Sequence, residues 1–470
     1  MNKLVTSIRE AVQLAGLRDG MTVSFHHHLR NGDFVLNMVM EEIANLGIKD
    51  IFVNASSLFD AHMPLQTHIE NGVVTGISAD YISAGLGKAI SRGIMKNPVQ
   101  FRTHGGRPRD ISLGVTPIDV AFIAAPTADP MGNCSGKYGK SACGSLGYAY
   151  ADAMFAKKVV VITDNLVSYP LQDWSISEDY VDFVVTVDAI GNPKGIVSGT
   201  TQITRDPVGL VMAAHAAKVI EASGLLKDGF SFQTGAGGAS LAAAKFLKDI
   251  MVRDGIQGSF GLGGITGYMV DMLQAGCFQK LMDVQCFDLK AVESIRTDPR
   301  HQEISAMHYA SPASKSAVVD SLDVVILGAT EIDTDFNVNV HTDSNGYIMG
   351  GSGGHSDTAA GAKLSMIIAP MFRARLPIVT DHVTCVSTPG KDIDVLVTQG
   401  GIAVNPKNEE LTYRLKHAGL PVINIHDLKA KAESITGAPA KLPKGDRVVA
   451  QAIGRNGNLQ DEIYNVKENG

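Results

Sequence analysis

The chain has 470 residues, 45% of them hydrophobic and 19% charged, with 49 glycines and a formal net charge of −7. That balance excludes disorder and coiled coil, and an acidic chain without a basic tract gives nucleic-acid binding no electrostatic support. The length is enough for roughly two to four domains, and the glycine excess points to tight βα turns or backbone-lined ligand loops.

The N-terminal stretch MNKLVTSIREAVQLAG has amphipathic helical spacing and mixed charge, unlike a signal peptide. The longest apolar runs, such as SMIIAPMF at 365–372, fall far short of the ~18 residues that span a bilayer. MTVSF at 21–25 then reads as a strand. Asp33 caps a helix whose apolar face is Leu36, Val39, Met40 and Ile43, and Gly47 ends it. KDIFVNAS is the next strand, and IDVAFIAAP at 118–126 another. The five cysteines, Cys134, Cys143, Cys277, Cys286 and Cys385, are odd in number and form no CxxC, which disfavours a disulfide framework and a zinc ribbon. A soluble, cytoplasmic protein is expected, with no membrane segment and no metal site.

From residue 206 the pattern starts again. Asp206 and Pro207 open a helix as N-cap and first helical residue. SGLLKDGFSF at 223–232 then repeats AGLRDGMTVSF at 15–25. Ser240 caps LAAAKFLKDIMV, Gly255 follows, GSFGLGG comes next, and Thr266 caps a helix ending at Gly276. LDVVILGAT at 322–330 matches IDVAFIAAP, VTDHVTCVSTP at 379–389 matches ITDNLVSYP at 162–170, and IDVLV at 393–397 matches VDFVV at 181–185. Landmarks that recur in one order imply duplication. The expectation is two homologous α/β halves, residues 1–200 and 201–470, joined near 190–207. Strands 21–25, 119–124 and 160–163 should be equivalent to 230–232, 323–328 and 377–380. Strand–helix alternation gives mainly parallel sheets covered by helices, with ligands at the carboxyl ends of strands. The loops after FSF, AFIAAP and VVILGA are therefore the ligand loops.

Three stretches carry candidate chemistry. The QTGAGGAS loop at 233–240 offers Gly235, Gly237 and Gly238, whose N–H groups suit a phosphate or an oxyanion; the alternative is a tight βα turn. Glu331 ends an apolar run, with the GGSGGH loop and its Gly351, Gly353 and Gly354 nearby. A carboxylate facing a glycine loop suits acyl transfer, and a solvated strand end is the alternative. His26, His28 and Arg30 follow the first strand, and FRTHGGRPRD adds Arg102, His104 and Arg107. Together they suit a substrate with several carboxylates, against the alternative of a solvated basic loop. His26 and His28 share one face of an extended chain and His27 takes the other, so the three do not converge on a metal. No base is identifiable beside Cys134 or Cys143, and neither GxSxG nor a Walker loop is present.

The duplicated DG–strand units, APTADPMGNCSG after the strand at 119–125, and TEIDTDFNVNV…GGSGGHSDTA resemble the CoA-transferase superfamily. DGMTVSFHHHLRNGD, SRGIMKNPVQFRTHGG, CGSLGYAYADA, QTGAGGASLAAAKFL, GLGGITGYMVDML, VILGATEIDT and VLVTQGGIAVNP extend the resemblance, over nearly the whole chain, to its citrate lyase alpha-chain family. The resemblance implies two CoA-transferase-like domains with the active site between them. It implies an exchange in which acetyl thioester plus citrate gives citryl thioester plus acetate. The thiol belongs to a CoA-like prosthetic group on a separate acyl-carrier (gamma) subunit, and a lyase (beta) subunit then cleaves the product. CoA or acetyl-CoA would mimic that carrier, and no cofactor is bound covalently. Glu331 falls where many CoA-transferases carry a glutamate nucleophile, whereas citrate-type transferases react by direct exchange. The alternatives are a malonate decarboxylase alpha subunit and a non-catalytic sugar-phosphate sensor on a related fold.

Overall fold

The computed structural model describes residues 3–197, 202–235, 237–437 and 439–467. Two large sheets dominate it. The spatial order of the first is Leu4–Val5, Phe183–Thr186, Lys158–Thr163, Val120–Ala125, Thr22–Phe25, Ile51–Ala55, Val74–Ala79, Val99–Phe101, then Lys444–Ile453 and Leu459–Val466. The second runs His301–Glu303, Phe278–Cys286, Gly258–Ile265, Ser231–Thr234, Val324–Leu327, Leu364–Ile368, Val395–Thr398, Gly401–Val404. Seven strands in each follow the same order and pair in parallel. The halves are tandem copies of one α/β fold. Every residue of Val120–Ala125 is buried, as a strand covered on both faces requires.

The duplication holds for Thr22–Phe25 with Ser231–Thr234 and for Val120–Ala125 with Val324–Leu327. The third expected equivalence is wrong. The counterpart of Lys158–Thr163 is Leu364–Ile368, while Val379–Thr380 joins a small separate sheet with Glu331–Asp333. Residues 369–378 are inserted between the shared strand and the shared VTD-like motif, so sequence matching slid past the strand. The division of the chain near residue 200 also does not follow the sheets throughout. Lys444–Ile453 crosses back and pairs in parallel with Val99–Phe101, extending the first sheet.

The caps largely follow local chemistry. Asp206 accepts from the Gly209 amide at 3.0 Å, opening the helix Pro207–Ser223. Asp33 accepts from the amides of Val35 and Leu36 at the start of Val35–Asn45. Ser240, in contrast, lies inside its helix. Gly238–Asp254 begins two residues earlier, because Gly238 runs against the backbone of 202–204, where its carbonyl accepts from the Thr204 amide. Thr266 stands at the N-cap position of Gly267–Gln274, but the Asp288 carboxylate takes the Gly267 amide.

In each sheet the order reverses where Thr22–Phe25 meets Val120–Ala125 and where Ser231–Thr234 meets Val324–Leu327. Such switch points open a crevice at the carboxyl ends of the strands. Here the carboxyl ends of the two halves meet. Gln285 Nε2 donates to the His27 carbonyl at 2.9 Å, Ser145 Oγ to the Asp283 carbonyl at 3.0 Å, and the His104 amide to the Gly353 carbonyl at 2.8 Å.

Candidate active site

The first switch point carries the histidine triplet. His26 Nε2 accepts from the Ala124 amide at 2.9 Å, His28 Nε2 accepts from the Tyr148 amide at 3.3 Å, and their Nδ1 atoms meet each other. Both rings are thereby used up in holding the loop. Burial pushes His26 down to about 4 and His28 well below the usual imidazole range, so both are neutral at pH 7. His27 joins an aromatic cluster that His28 also touches, with the His28 and Tyr148 centroids 5.6 Å apart. His27 Nδ1 meets Ser56 Oγ at 2.6 Å, and its centroid lies 4.6 Å from Tyr148 and 5.8 Å from His104. Burial also holds His27 well below its ordinary value.

His104 packs on the same tyrosine, with centroids 4.5 Å apart. Its Nδ1 is tied to Asp80 Oδ2 at 2.9 Å, which orients the ring. A Cβ placed on Gly353 would stand 3.2 Å from His104 Nε2, so the glycine loop approaches that nitrogen closely. Burial raises the Asp80 carboxyl, against the His104 bond. Arg30 lies over Phe59 at 5.3 Å and Phe287 at 4.8 Å, donates weakly to the Ile196 carbonyl, and has no carboxylate partner among the described residues. Its φ of 52° is a costly conformation for arginine, held because its amide and the Gly32 and Asp33 amides close a tight turn.

From the second half, Gln233 Nε2 donates to Tyr309 Oη at 2.9 Å. A Cβ on Gly354 would meet that hydroxyl oxygen at 2.5 Å, so Tyr309 links the two glycine loops. Burial raises both Tyr148 and Tyr309, leaving neutral hydroxyls.

Several expected site residues are spent elsewhere. Arg102 binds Asp110 and Gln100, and Arg107 is buried against Asn54 and Asp152, with Nε to Asn54 Oδ1 at 2.8 Å and Nη2 to Asp152 Oδ2 at 2.9 Å. The Arg107 fork is filled by the protein's own acceptors, whereas Arg102 spends its two terminal nitrogens on Asp110 and Gln100 and keeps a buried Nε without a hydrogen-bond partner. Glu331 does not stand at the end of the central strand, which stops at Leu327. It begins a short strand and is fully buried; its Oε1 accepts from Lys441 Nζ, and its Oε2 from the Thr384 amide (2.8 Å) and Asn339 Nδ2 (3.1 Å). Burial alone would raise its carboxyl, but Lys441 and these hydrogen bonds outweigh that and hold it below the ordinary value. None of its partners belongs to a glycine loop. Lys441 and Thr384 line a cavity of about 280 Å³ whose wall contains no member of the histidine–tyrosine cluster.

The glycines also differ from expectation. The Gly235 amide donates to the Ile326 carbonyl, and the Gly353 amide to the Asp80 carbonyl. A Cβ on Gly351 would stand 2.2 Å from the Asp80 carbonyl oxygen, and one on Gly238 2.9 Å from the Gln202 carbonyl oxygen. Gly351 and Gly238 thus serve close backbone approach. Gly237 has only Ser240 Oγ, at 3.9 Å, within reach of an added Cβ, so it borders open space.

His27, Tyr148, Tyr309, Asp80, Gln233 and Gln285 were not singled out from the sequence. Their only signal there is position: His27 and Gln233 follow predicted strands. The others come together only when the two switch points face each other.

Two CoA-transferase-like halves whose switch points face each other across a buried polar cluster define the class. The family model "Citrate lyase, alpha subunit" matches residues 1–466, and the chain belongs to that family. The citrate lyase alpha chain of Klebsiella pneumoniae is 50% identical over 465 residues, covering 99% of this chain and 92% of that protein. The solved alpha subunit of citrate lyase from Streptococcus mutans, in complex with citrate, superposes with a TM-score of 0.98 at 50% identity, over 100% of this chain and 92% of that one. The Pseudomonas malonate decarboxylase hetero-tetramer, in complex with malonate, matches at a TM-score of 0.69 and 16% identity, covering 94% and 95% of the two chains, which is likeness of fold alone. The chain is thus a transferase of the citrate lyase type. No helix among the described residues is long and apolar enough to cross a membrane.

Proposed function

We propose that the crevice binds citrate and the acyl thioester of a CoA-like group carried by an acyl-carrier subunit, and exchanges acetyl for citryl. The observation that carries this reading is that a solved relative of 50% identity binds citrate. The work takes place in the cytoplasm, within a complex that includes the carrier and a lyase subunit.

Direct exchange fits these residues best. A citrate carboxylate attacks the acetyl thioester carbonyl, the C–S bond breaks, and thiolate leaves a mixed acetyl–citryl anhydride. The thiolate then attacks the citryl carbonyl and releases acetate. The protein's part is to position two acyl partners and to supply donors where oxyanions form. Arg30, a cation without a carboxylate of its own, holds a citrate carboxylate. His104, steered by Asp80, and His27 flank it, and the Tyr148 and Tyr309 hydroxyls supply neutral donors. Glu331, tied to Lys441, is an anchoring residue and not the nucleophile. Acetyl-CoA serves as carrier mimic in the test. Turnover with citrate and not malonate is expected; a preference for malonate would assign the chain to the decarboxylase type of transferase.

A further inference from the structure

We propose that Asp283, Cys286 and His301 form a zinc-binding site behind the crevice, on the far side of the strand that carries Gln285. All three side chains are buried, and one donor atom from each lies within 4.8 Å of the others. Cys286 Sγ is 3.0 Å and His301 Nε2 is 2.9 Å from the same oxygen, Asp283 Oδ2. A thiolate, an imidazole and a carboxylate on one centre select a borderline-soft ion such as zinc over magnesium or calcium.

The backbone is shaped for this meeting. Residues 283 and 286 of a regular strand would point to opposite faces. Here the pairing jumps from Gly263 with Asp283 to Gly264 with Gln285, skipping Val284. That bulge returns Cys286 to the face of Asp283. Gly144, at φ +86°, passes so close that a Cβ there would stand 2.2 Å from Cys286 Sγ. Ser294 Oγ lies 2.9 Å from His301 Nδ1. An Nδ1 proton donated there leaves the Nε2 lone pair directed at the cluster, the usual support for a ligating histidine.

A second observation points to a cation. Asp283 Oδ1 is buried and has no hydrogen-bond partner, and no Lys or Arg pairs with this carboxylate among the described residues. A fully buried carboxylate with one oxygen left unpartnered is costly. One zinc ion balances it: Cys286 loses its S–H proton to solvent, an S–Zn bond forms, and thiolate, carboxylate and dication sum to zero. Asp283 Oδ1 or a water fills the fourth position.

The bound ion would brace the loop carrying Tyr148. Ser145 Oγ donates to the Asp283 carbonyl and the Leu146 amide to Glu303 Oε1, so two strands and this loop are tied at one point.

The test uses the full chain stripped with a chelator and refilled. Elemental analysis is expected to find one zinc per chain, and cobalt titration a thiolate-to-metal charge-transfer band that saturates at one equivalent. Cys286→Ser and Asp283→Asn lose stoichiometric binding, Cys286→Ser also loses the band, and Cys277→Ser keeps both. Zinc raises the Tm of the stripped wild type. Stripped wild type that remains folded by circular dichroism yet takes up no cobalt, or a band that survives Cys286→Ser, overturns the site. If Cys286→Ser fails to fold, the wild-type titration decides alone: cobalt bound without a thiolate band overturns it. Metal content and spectrum are read without turnover, so failure here leaves the citrate reading standing, and failure there leaves this one.

Discussion

Arg30 and Glu331 carry opposite lessons about charge. Arg30 is held over two aromatic rings and has no carboxylate partner among the described residues, which is why it is proposed to hold citrate. Arg30→Gln should raise the KM for citrate about tenfold to a hundredfold, since a charge-assisted hydrogen bond contributes about 1.5–3 kcal/mol; steady-state kinetics at fixed acetyl-CoA would show it. Asp80→Asn should act through His104, lowering kcat about tenfold or more while the protein stays folded. Glu331 is the reverse, a charge already satisfied. Glu331→Gln leaves Lys441 unpaired and should cost about 1–3 kcal/mol of stability, less than a fully buried pair because Lys441 is one-third exposed, with kcat within a few-fold of wild type. The Glu331 carboxyl is depressed in the folded state, so its contribution is present above the unfolded value of about 4.3 and is lost as pH falls through the folded one. Urea unfolding of wild type and Glu331→Gln should therefore converge in acid. A collapse of kcat by several orders of magnitude in Glu331→Gln would restore the covalent route.

Between elements, the GGSGGH loop and the helix His355–Gly361 that follows it press on the first half. Gly351→Ala puts a Cβ against the Asp80 carbonyl and should separate that contact, costing about 1–3 kcal/mol as an overpacking change and disturbing His104 with it. Asp357, fully buried in that helix, accepts from Thr103 Oγ1 and the Gly105 amide, both at 2.9 Å. Burial is the largest influence on it and pushes its carboxyl up to about 6. Between the unfolded value near 3.9 and about 6 the folded state holds a proton that the unfolded state has lost, so stability falls as pH rises through that window, by up to about 3 kcal/mol. Asp357→Asn should flatten that slope in Tm measured from pH 4 to 7. These contacts were illegible in the sequence, where Gly351 reads as part of a loop for an oxyanion or a CoA-like group and Asp357 carries no expectation. Periodicity and Asp–Pro or glycine punctuation describe one element at a time, and they placed the helices at 35–45 and 207–223 well. What a glycine leaves room for is decided by a partner more than two hundred residues away.

Across the whole molecule, the repeated landmarks made the two-sheet plan legible, because each half solves the same burial problem with the same strand order. The insertion at 369–378 and the return of Lys444–Ile453 to the first sheet were not legible, since neither leaves a local pattern. The histidine cluster was half legible. His26 and His28 are paired in the sequence because they share one face of an extended chain, and in the structure their rings are tied to each other and to backbone amides while His27 stacks with Tyr148 and His104. Ala450→Pro would place a proline in a strand paired on both sides, beside Val99 and Ile463, costing about 3 kcal/mol or more. Amide exchange should then speed up at Val99–Phe101 while protection at Val324–Leu327 persists; loss at both would show one cooperative unit.

The pairing of Ala450 with Val99 joins positions about 350 residues apart in the chain. A ribosome adding roughly 5–20 residues each second needs tens of seconds to deliver the second after the first. Throughout that interval Val99–Phe101 is an uncovered sheet edge on an otherwise assembled layer, open to any extended segment nearby. The nascent protein is therefore most exposed to chaperones and to mispairing late in its synthesis, when the second half is nearly made and the first still waits for its covering strand.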